Sequence, residues 1–459
     1  MIVSRALWQL CIYGTAVVLV STLTVGCGVQ AAPRAPQPTG TPITVVSAAT
    51  ILTLPTEDTS VPVATPIAAV PVTPTLAETV TITPTRLPAL IRQQILTEVW
   101  TTVNDNYLYP DFRGLSWSTV RDQFTPPIEE AGSDEEFYRL LGQMVAQLDD
   151  NHSRLLAPSA AQREDVLSSG RDEQVGIGVI ALPLADSLLI QHVFPDSPAD
   201  RAGLRARDRI VAVDGVFYTD ADIQGPASSK VRITVVRPGE ASRDMVLTRR
   251  LVEGRIIPET RILPGRVGYL EITTLWVSDM ADLVSQALDQ MTQSGKLNGL
   301  IIDLRRNPGG WRDVLVKLLG HFVQGHVGDF FNRQGDTPLE VRAGATPDLR
   351  GLPLVVLIDG GTASYAELMA GILQHEAAAI VIGAPSAGNT ETIYSYDLTG
   401  GARLWVAQEG FHLRDGTNLE GVGVQPDLTL TQDWTRYSEA DDPWILEGLR
   451  MIATGSSDK

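Results

Sequence analysis

The chain is poor in cysteine, in histidine and in positive charge. Only Cys11 and Cys27 occur in 459 residues, both within or at the end of an apolar N-terminal stretch. The remainder carries no thiol, which excludes a disulfide framework. A formal net charge of −18 argues against nucleic acid or an anionic membrane surface as a direct partner. The six histidines are scattered without paired ligand spacing, so no metal and no cofactor is expected. No lysine lies between Lys317 and Lys459. No internal repeat of about 20–50 residues is evident. What is present is a length that suits two or three domains and 44% hydrophobic residues, enough for real cores.

Residues 1–27 read as an export signal. Arg5 is the only charged side chain there, and 7–25 is mostly apolar. The stretch ends Leu23-Thr24-Val25-Gly26-Cys27. It resembles a bacterial lipoprotein cleavage site, with Thr24 where leucine is usual. The resemblance implies a mature, extracytoplasmic chain beginning at a lipidated Cys27 and anchored to the membrane by that lipid. The alternative is an uncleaved anchor, since the apolar stretch approaches spanning length. Residues 28–88 are rich in Thr, Pro, Ala and Val. Proline removes donors and favours extended backbone, so this segment reads as a disordered tether.

The folded part falls into three stretches, followed by a tail at 436–459. Residues 89–168 are helical: Ile91, Ile95, Val99 and Val103 share one face, and Ser133 to Glu136 has capping-box spacing. That portion ends in Asp150-Asn151-His152-Ser153. By itself such a histidine is ordinary for a solvated or C-capping position. Residues 172–250 carry short strands. Residues 255–435 alternate strand and helix, which implies an α/β domain with a mainly parallel sheet. Within it, 354–358 reads as a buried strand, 359–363 as a turn, 364–374 as a helix and 379–382 as a second strand. Ser364 sits where turn meets helix. There it either caps the helix or offers its hydroxyl beside free backbone N–H groups that can receive developing negative charge.

The run DSPADRAGLRARDRIVAVDGV at 196–216 resembles a PDZ domain. That resemblance implies that Gly176-Ile177-Gly178 offers amides to a peptide's terminal carboxylate, the peptide adding as a strand at the sheet edge. After Gly225 the chain passes almost directly into a strand at 231, so the second helix of the groove is truncated, and weak or absent peptide binding is expected.

Three further motifs, IIDLRRNPGG at 301–310, GTASYAELMAGIL at 361–373 and LEGVGVQPD at 419–427, resemble the C-terminal processing, or tail-specific, serine peptidases, in that family's order. The resemblance implies a crotonase-like α/β peptidase core with an inserted PDZ domain and a helical N-terminal portion. It further implies polypeptide substrates, Ser364 as nucleophile, and oxyanion donors from the Gly309-Gly310 turn and the Tyr365 amide. Most such peptidases use a lysine within a Pro-Thr-x-Gly-Lys pattern. The matching stretch is Pro385-Ser386-Ala387-Gly388-Asn389, and Asn389 cannot act as a base. Two readings follow. In one, the site is Ser–His–Glu, similar to the tricorn-type relatives, with His152, Ser153 and Glu420 beside Ser364; a neutral imidazole can take the serine proton. In the other, the protein is an inactive relative that binds polypeptide. A non-enzymatic scaffold working through the PDZ unit is a third class, opposed by the truncated groove. Oligomeric state is not legible.

Overall fold

In the computed structural model the described residues are 86–168, 171–217 and 223–455. The expected lipidation site Cys27 and the tether at 28–85 lie outside them. Among the described residues, no helix is long and apolar enough to cross a membrane.

The helical portion comprises Ala89–Asn106, Trp117–Glu130 and Asp134–Val145. Ile95, Val99 and Val103 are fully buried, as their spacing requires. Ser133 caps its helix by accepting the Glu136 amide (3.2 Å), while the Glu136 carboxylate takes the amide of Gly132 (2.8 Å). These helices do not close a core alone. They pack with Leu398, Ala402, Leu404 and Val406 of the C-terminal half. The short strand Arg154–Leu156 then pairs antiparallel with the long strand Arg403–Leu413, Leu155 opposite Leu404. That pairing carries the segment just before it, containing His152, to the C-terminal half.

Next comes the inserted unit. Arg171–Gly176 leads in and Arg250–Arg255 leads out, paired antiparallel as a ribbon. Between them a six-stranded antiparallel sheet encloses its own core of Ile177, Ile190, Ile210, Val231, Ile233 and Val235. Ser197 caps the short helix Pro198–Arg201 by accepting the Asp200 amide (3.0 Å). No helix lies among the described residues between Val216–Phe217 and Lys230–Val236.

The central sheet has the order Glu259–Leu263, Val267–Glu271, Gly299–Asp303, Leu354–Ile358, Ile380–Gly383, Leu428–Thr429. Its first pair is antiparallel and the rest are parallel. Ile302 lies opposite Leu270 on one side and Val356 on the other. All five residues of Gly299–Asp303 and of Leu354–Ile358 are buried. Continuous apolar runs of this kind belong to parallel strands covered on both faces. Each buried Val, Leu or Ile side chain contributes about 1.5–3 kcal/mol, so the turns leaving these strands start from rigid ground. The mixed α/β class expected from the alternation is what the chain adopts. A five-stranded antiparallel sheet, built on Gly325–Asn332, Gly335–Val341, Thr392–Asp397, Arg403–Leu413 and Arg154–Leu156, covers the far side of the site.

One expectation needs correction. Residues 436–459 are not a tail over their described length. Pro443–Gly455 is a helix whose Trp444, Ile445 and Ile452 are buried, and Ile445 and Ile452 pack with Ile301 and Val355 of the central sheet. Gly448 allows this approach: a Cβ there would lie 3.1 Å from the Ile301 side chain. Asp442, just before the helix, is fully buried against Arg305 (2.9 Å) and Arg207 (2.7 Å).

Candidate active site

Ser364 stands between the strand Leu354–Ile358 and the helix Tyr365–Glu376, with φ 56° and ψ −131°. A non-glycine residue at positive φ is strained, and such strain persists only where surroundings over-determine it. Here they do. The Thr362 hydroxyl donates to the Leu304 carbonyl (2.9 Å), and the Ala363 amide to the Asn307 carbonyl (2.9 Å). Ser364's own amide donates to the Asn389 carbonyl (2.8 Å) and to Glu367 Oε2 (2.9 Å). A serine on a sharp, strained strand-to-helix turn is the arrangement of a nucleophile elbow.

Glu367 holds this elbow together, and sequence reasoning missed it. The side chain is fully buried and also accepts from the Ser386 hydroxyl (2.6 Å) and the amides of Gly388 (2.7 Å) and Asn389 (2.9 Å). It thereby ties the 386–389 loop to the nucleophile. Burial pushes its carboxyl above the usual range despite those bonds. The signal was available: Ser364 and Glu367 have the same capping-box spacing as Ser133 and Glu136.

The glycine turn lies directly against the serine. A Cβ on Gly309 (φ 84°) would come within 2.7 Å of the Ser364 Cβ and 2.9 Å of the Tyr365 amide nitrogen. Only glycine permits that approach. The two glycines differ in role, however. The Gly309 amide donates to Asn307 Oδ1 (2.9 Å), with Asn307 itself anchored on the Ile272 carbonyl (2.7 Å). Gly309 is therefore a spacer, not an oxyanion donor, which corrects the expectation for it. Among the hydrogen bonds of the described residues, none engages the amide of Gly310 or of Tyr365. Those two are the available donors.

His152 lines the same open cleft as Ser364, a space of about 950 Å³ walled by Trp276, Trp311 and Trp405. Its amide donates to Asp150 Oδ1 (3.0 Å). Its Nε2 lies 3.3 Å from Glu420 Oε1 and 3.8 Å from Glu391 Oε2. With Nε2–H donated to Glu420, Nδ1 carries the lone pair. No hydrogen bond joins His152 to Ser364 in this state. Burial works against the Glu420 charge, but hydrogen bonds from His152 and Thr390 hold its carboxyl below the usual range. Glu391 goes the other way, pushed up by burial.

Three comparisons bear on this geometry. Peptidase family S41 matches residues 266–430, the tricorn protease C1 domain residues 88–146, and a PDZ domain residues 190–237. A carboxyl-terminal-processing protease of Synechocystis is 29% identical over 376 residues, spanning 79% of this chain and 86% of its own. The chloroplastic carboxyl-terminal-processing peptidase 2 of Arabidopsis thaliana is also 29% identical, over 75% of this chain and 70% of its own. A solved photosystem II D1 C-terminal processing protease aligns with a TM-score of 0.53 at 26% identity, over 75% of this chain and 94% of that one. Residues 266–430 are thus similar to peptidase family S41, and the chain as a whole is similar to the carboxyl-terminal-processing proteases.

With these similarities it is a serine-type peptidase, whose substrates are polypeptides. In it, Asn389 occupies the position read from the sequence as that of the missing lysine. Its amide is bound to Glu367 and its carbonyl to Ser364, and its Oδ1 is buried without a partner. Lys317 reaches the rim of the cleft, but it is exposed and faces Asp313 (3.9 Å). Ser153 is not brought to the site. Its hydroxyl donates to Asp150 Oδ2 (2.9 Å) and accepts the Ala407 amide (3.1 Å), so it fastens the strand pairing; its expected catalytic place is corrected.

The loop Gly176-Ile177-Gly178 borders a space of only about 30 Å³, shared with Ile223 and Val252. That is room for about one water, and the Ile177 side chain is itself buried in the PDZ core. The fold also gathers three groups far apart in sequence: a ring nitrogen of His152 and a carboxylate oxygen each of Glu391 and Glu420 lie within 4.8 Å of one another.

Proposed function

We propose that this serine-type peptidase is exported, held at a membrane by a lipid on Cys27, and cuts extracytoplasmic polypeptides near their C-termini with Ser364 as nucleophile and His152 as base. One observation carries the catalytic part. A strained Ser364 and a carboxylate-paired His152 share one cleft, with a neutral amide, Asn389, where a lysine would have to work. A polypeptide in the cleft closes the gap between His152 and Ser364 to hydrogen-bond reach. Nδ1 of His152 takes the hydroxyl proton as Oγ attacks the scissile carbonyl, and Glu420 steadies the imidazolium that forms. The amides of Tyr365 and Gly310 receive the negative oxygen. His152 then returns its proton to the leaving amine, and water, deprotonated by the same imidazole, releases the acyl product. The tryptophan wall suits apolar side chains on the substrate.

The test is hydrolysis of a mixed peptide library by the wild type and by the Ser364→Ala and His152→Ala variants. Activity is expected only in the wild type, and full activity in His152→Ala refutes the histidine base. The missing hydrogen bond between Ser364 and His152 favours a second reading, an inactive polypeptide-binding relative. An inert wild type that gains activity on Asn389→Lys selects that reading. Export and anchoring are checked by Cys27→Ser, which should release the chain from membranes or leave its signal uncleaved. Unchanged mass and membrane partition would sink the anchor.

A further inference from the structure

The cluster facing His152 holds more carboxylate than a base needs. Glu391 is 1% exposed, and its Oε2 has no hydrogen-bond partner although it points at the imidazole from 3.8 Å. Its other oxygen is fully committed, accepting from Tyr109 Oη (2.5 Å) and from Arg113 (2.8 Å). Glu420 is built the same way. Its Oε2 accepts from the Thr390 amide (2.7 Å), the Thr390 hydroxyl (3.0 Å) and the Glu391 amide (3.2 Å), which leaves Oε1 for His152. Two carboxylates, each locked through one oxygen, thus aim the other at a single imidazole nitrogen. Outer partners that orient ligands in this way are a mark of metal sites.

Distances agree. Zinc bonds of about 2.0–2.2 Å to nitrogen and oxygen at tetrahedral angles separate ligand atoms by about 3.3–3.6 Å. The observed separations from His152 Nε2 are 3.3 Å and 3.8 Å, and all three ligand atoms fall within 4.8 Å. One imidazole with two carboxylates suits zinc-class ions, whereas calcium and magnesium favour all-oxygen shells. The two negative charges balance a divalent ion, and the fourth position is open for water.

The structure assigns His152, Glu391 and Glu420 as a zinc-class divalent-cation site whose occupation switches the peptidase off. The switch follows from proton placement. A metal on Nε2 displaces the proton from that nitrogen, and the ring's single remaining proton then sits on Nδ1. The atom that should accept the Ser364 proton has become a donor. The inhibitory consequence rests on His152 being the base; the binding site does not.

The test uses the full chain stripped with a chelator. Co²⁺ is added first, because its visible absorption reports four-coordinate nitrogen and oxygen ligation, and Zn²⁺ then displaces it. One ion per chain is expected at micromolar metal. Glu391→Gln and Glu420→Gln should each weaken zinc binding at least about tenfold, whereas Glu391→His, which keeps a ligand in place, should retain it. Hydrolysis of the peptide library runs in parallel, normalised to each variant's own metal-free rate. Zinc should slow the wild type, and the inhibition midpoint should move with the measured affinity in every variant. Absence of stoichiometric binding, or binding unchanged in both glutamine variants, overturns the site. Zinc that binds there without slowing hydrolysis overturns the inhibitory half, and the metal-free result for His152→Ala reports independently on the base.

Discussion

The two halves of the candidate site are built differently. The nucleophile half grows out of fully buried parallel strands and is closed by Glu367, whose carboxylate gathers the amides of Ser364, Gly388 and Asn389 and the Ser386 hydroxyl. The groups in it that wait for a partner include the two amides suited to an oxyanion and the buried Asn389 Oδ1. The base half hangs from a turn between a helix and a three-residue strand. It contains an orphaned carboxylate oxygen and an imidazole not yet bonded to the serine. The difference teaches that one half is preorganised by the core, while the other keeps a geometry that a substrate or an ion can complete.

The largest expected effect tests whether the halves act together. Ser364→Ala and His152→Ala should each lower turnover by about 10⁴-fold or more, and the double variant should cost little beyond either, since residues acting as one unit are non-additive. Additive losses in kcat/KM would split the two halves. Next, Gly309→Ala should lower turnover by about 10²–10³-fold with substrate affinity little changed, the scale of losing an oxyanion donor, because the added methyl would press on Ser364 and the Tyr365 amide. Retained activity would show that the nucleophile half can shift after all.

Stability should separate the halves more gently. Glu367→Ala orphans several buried donors and should destabilise by about 3 kcal/mol or more, whereas Glu391→Ala, which frees Tyr109 and Arg113 where both can reach water, should cost less, about 1 kcal/mol. Denaturant unfolding of the two variants measures this, and equal losses would break the contrast. The smallest effect concerns pH. Burial raises the Glu367 carboxyl above its ordinary 4.5 in the fold. Its contribution to stability is therefore complete below the unfolded value and is lost as pH rises through the folded one. The stability gap between wild type and Glu367→Gln should narrow across that window; a gap that widens with pH would show a carboxylate held charged by its four donors.

Much of the nucleophile half was legible because its determinants are local. The apolar run before Asp359, the turn, and the helical stripe of Leu368, Met369, Ile372 and Leu373 lie within some twenty residues of one another. The capping at Ser133 was legible for the same reason. Glu367 was missed although its spacing from Ser364 is a capping-box spacing, because a buried carboxylate reaching the 386–389 loop is a long-range contact. Ser153 and Gly309 had the right residue types, but the direction of a hydroxyl and the use of an amide depend on neighbours the local pattern does not name. The helix Pro443–Gly455 was read as a tail because its amphipathic face acquires meaning only against the sheet it covers.

By itself, then, the sequence determined the alternation of strand and helix, the elbow at Ser364, the inserted PDZ unit and the lack of any lysine between Lys317 and Lys459. These follow from short-range periodicity, turn chemistry and residue identity. Only the tertiary structure decided that His152 meets a carboxylate 268 positions away in Glu420, with Glu391 beside it. The physical reason is that no local preference encodes that meeting. It is produced when Arg154–Leu156 pairs with Arg403–Leu413, and when burial of the helical portion on that sheet outweighs the entropy of closing so long a loop.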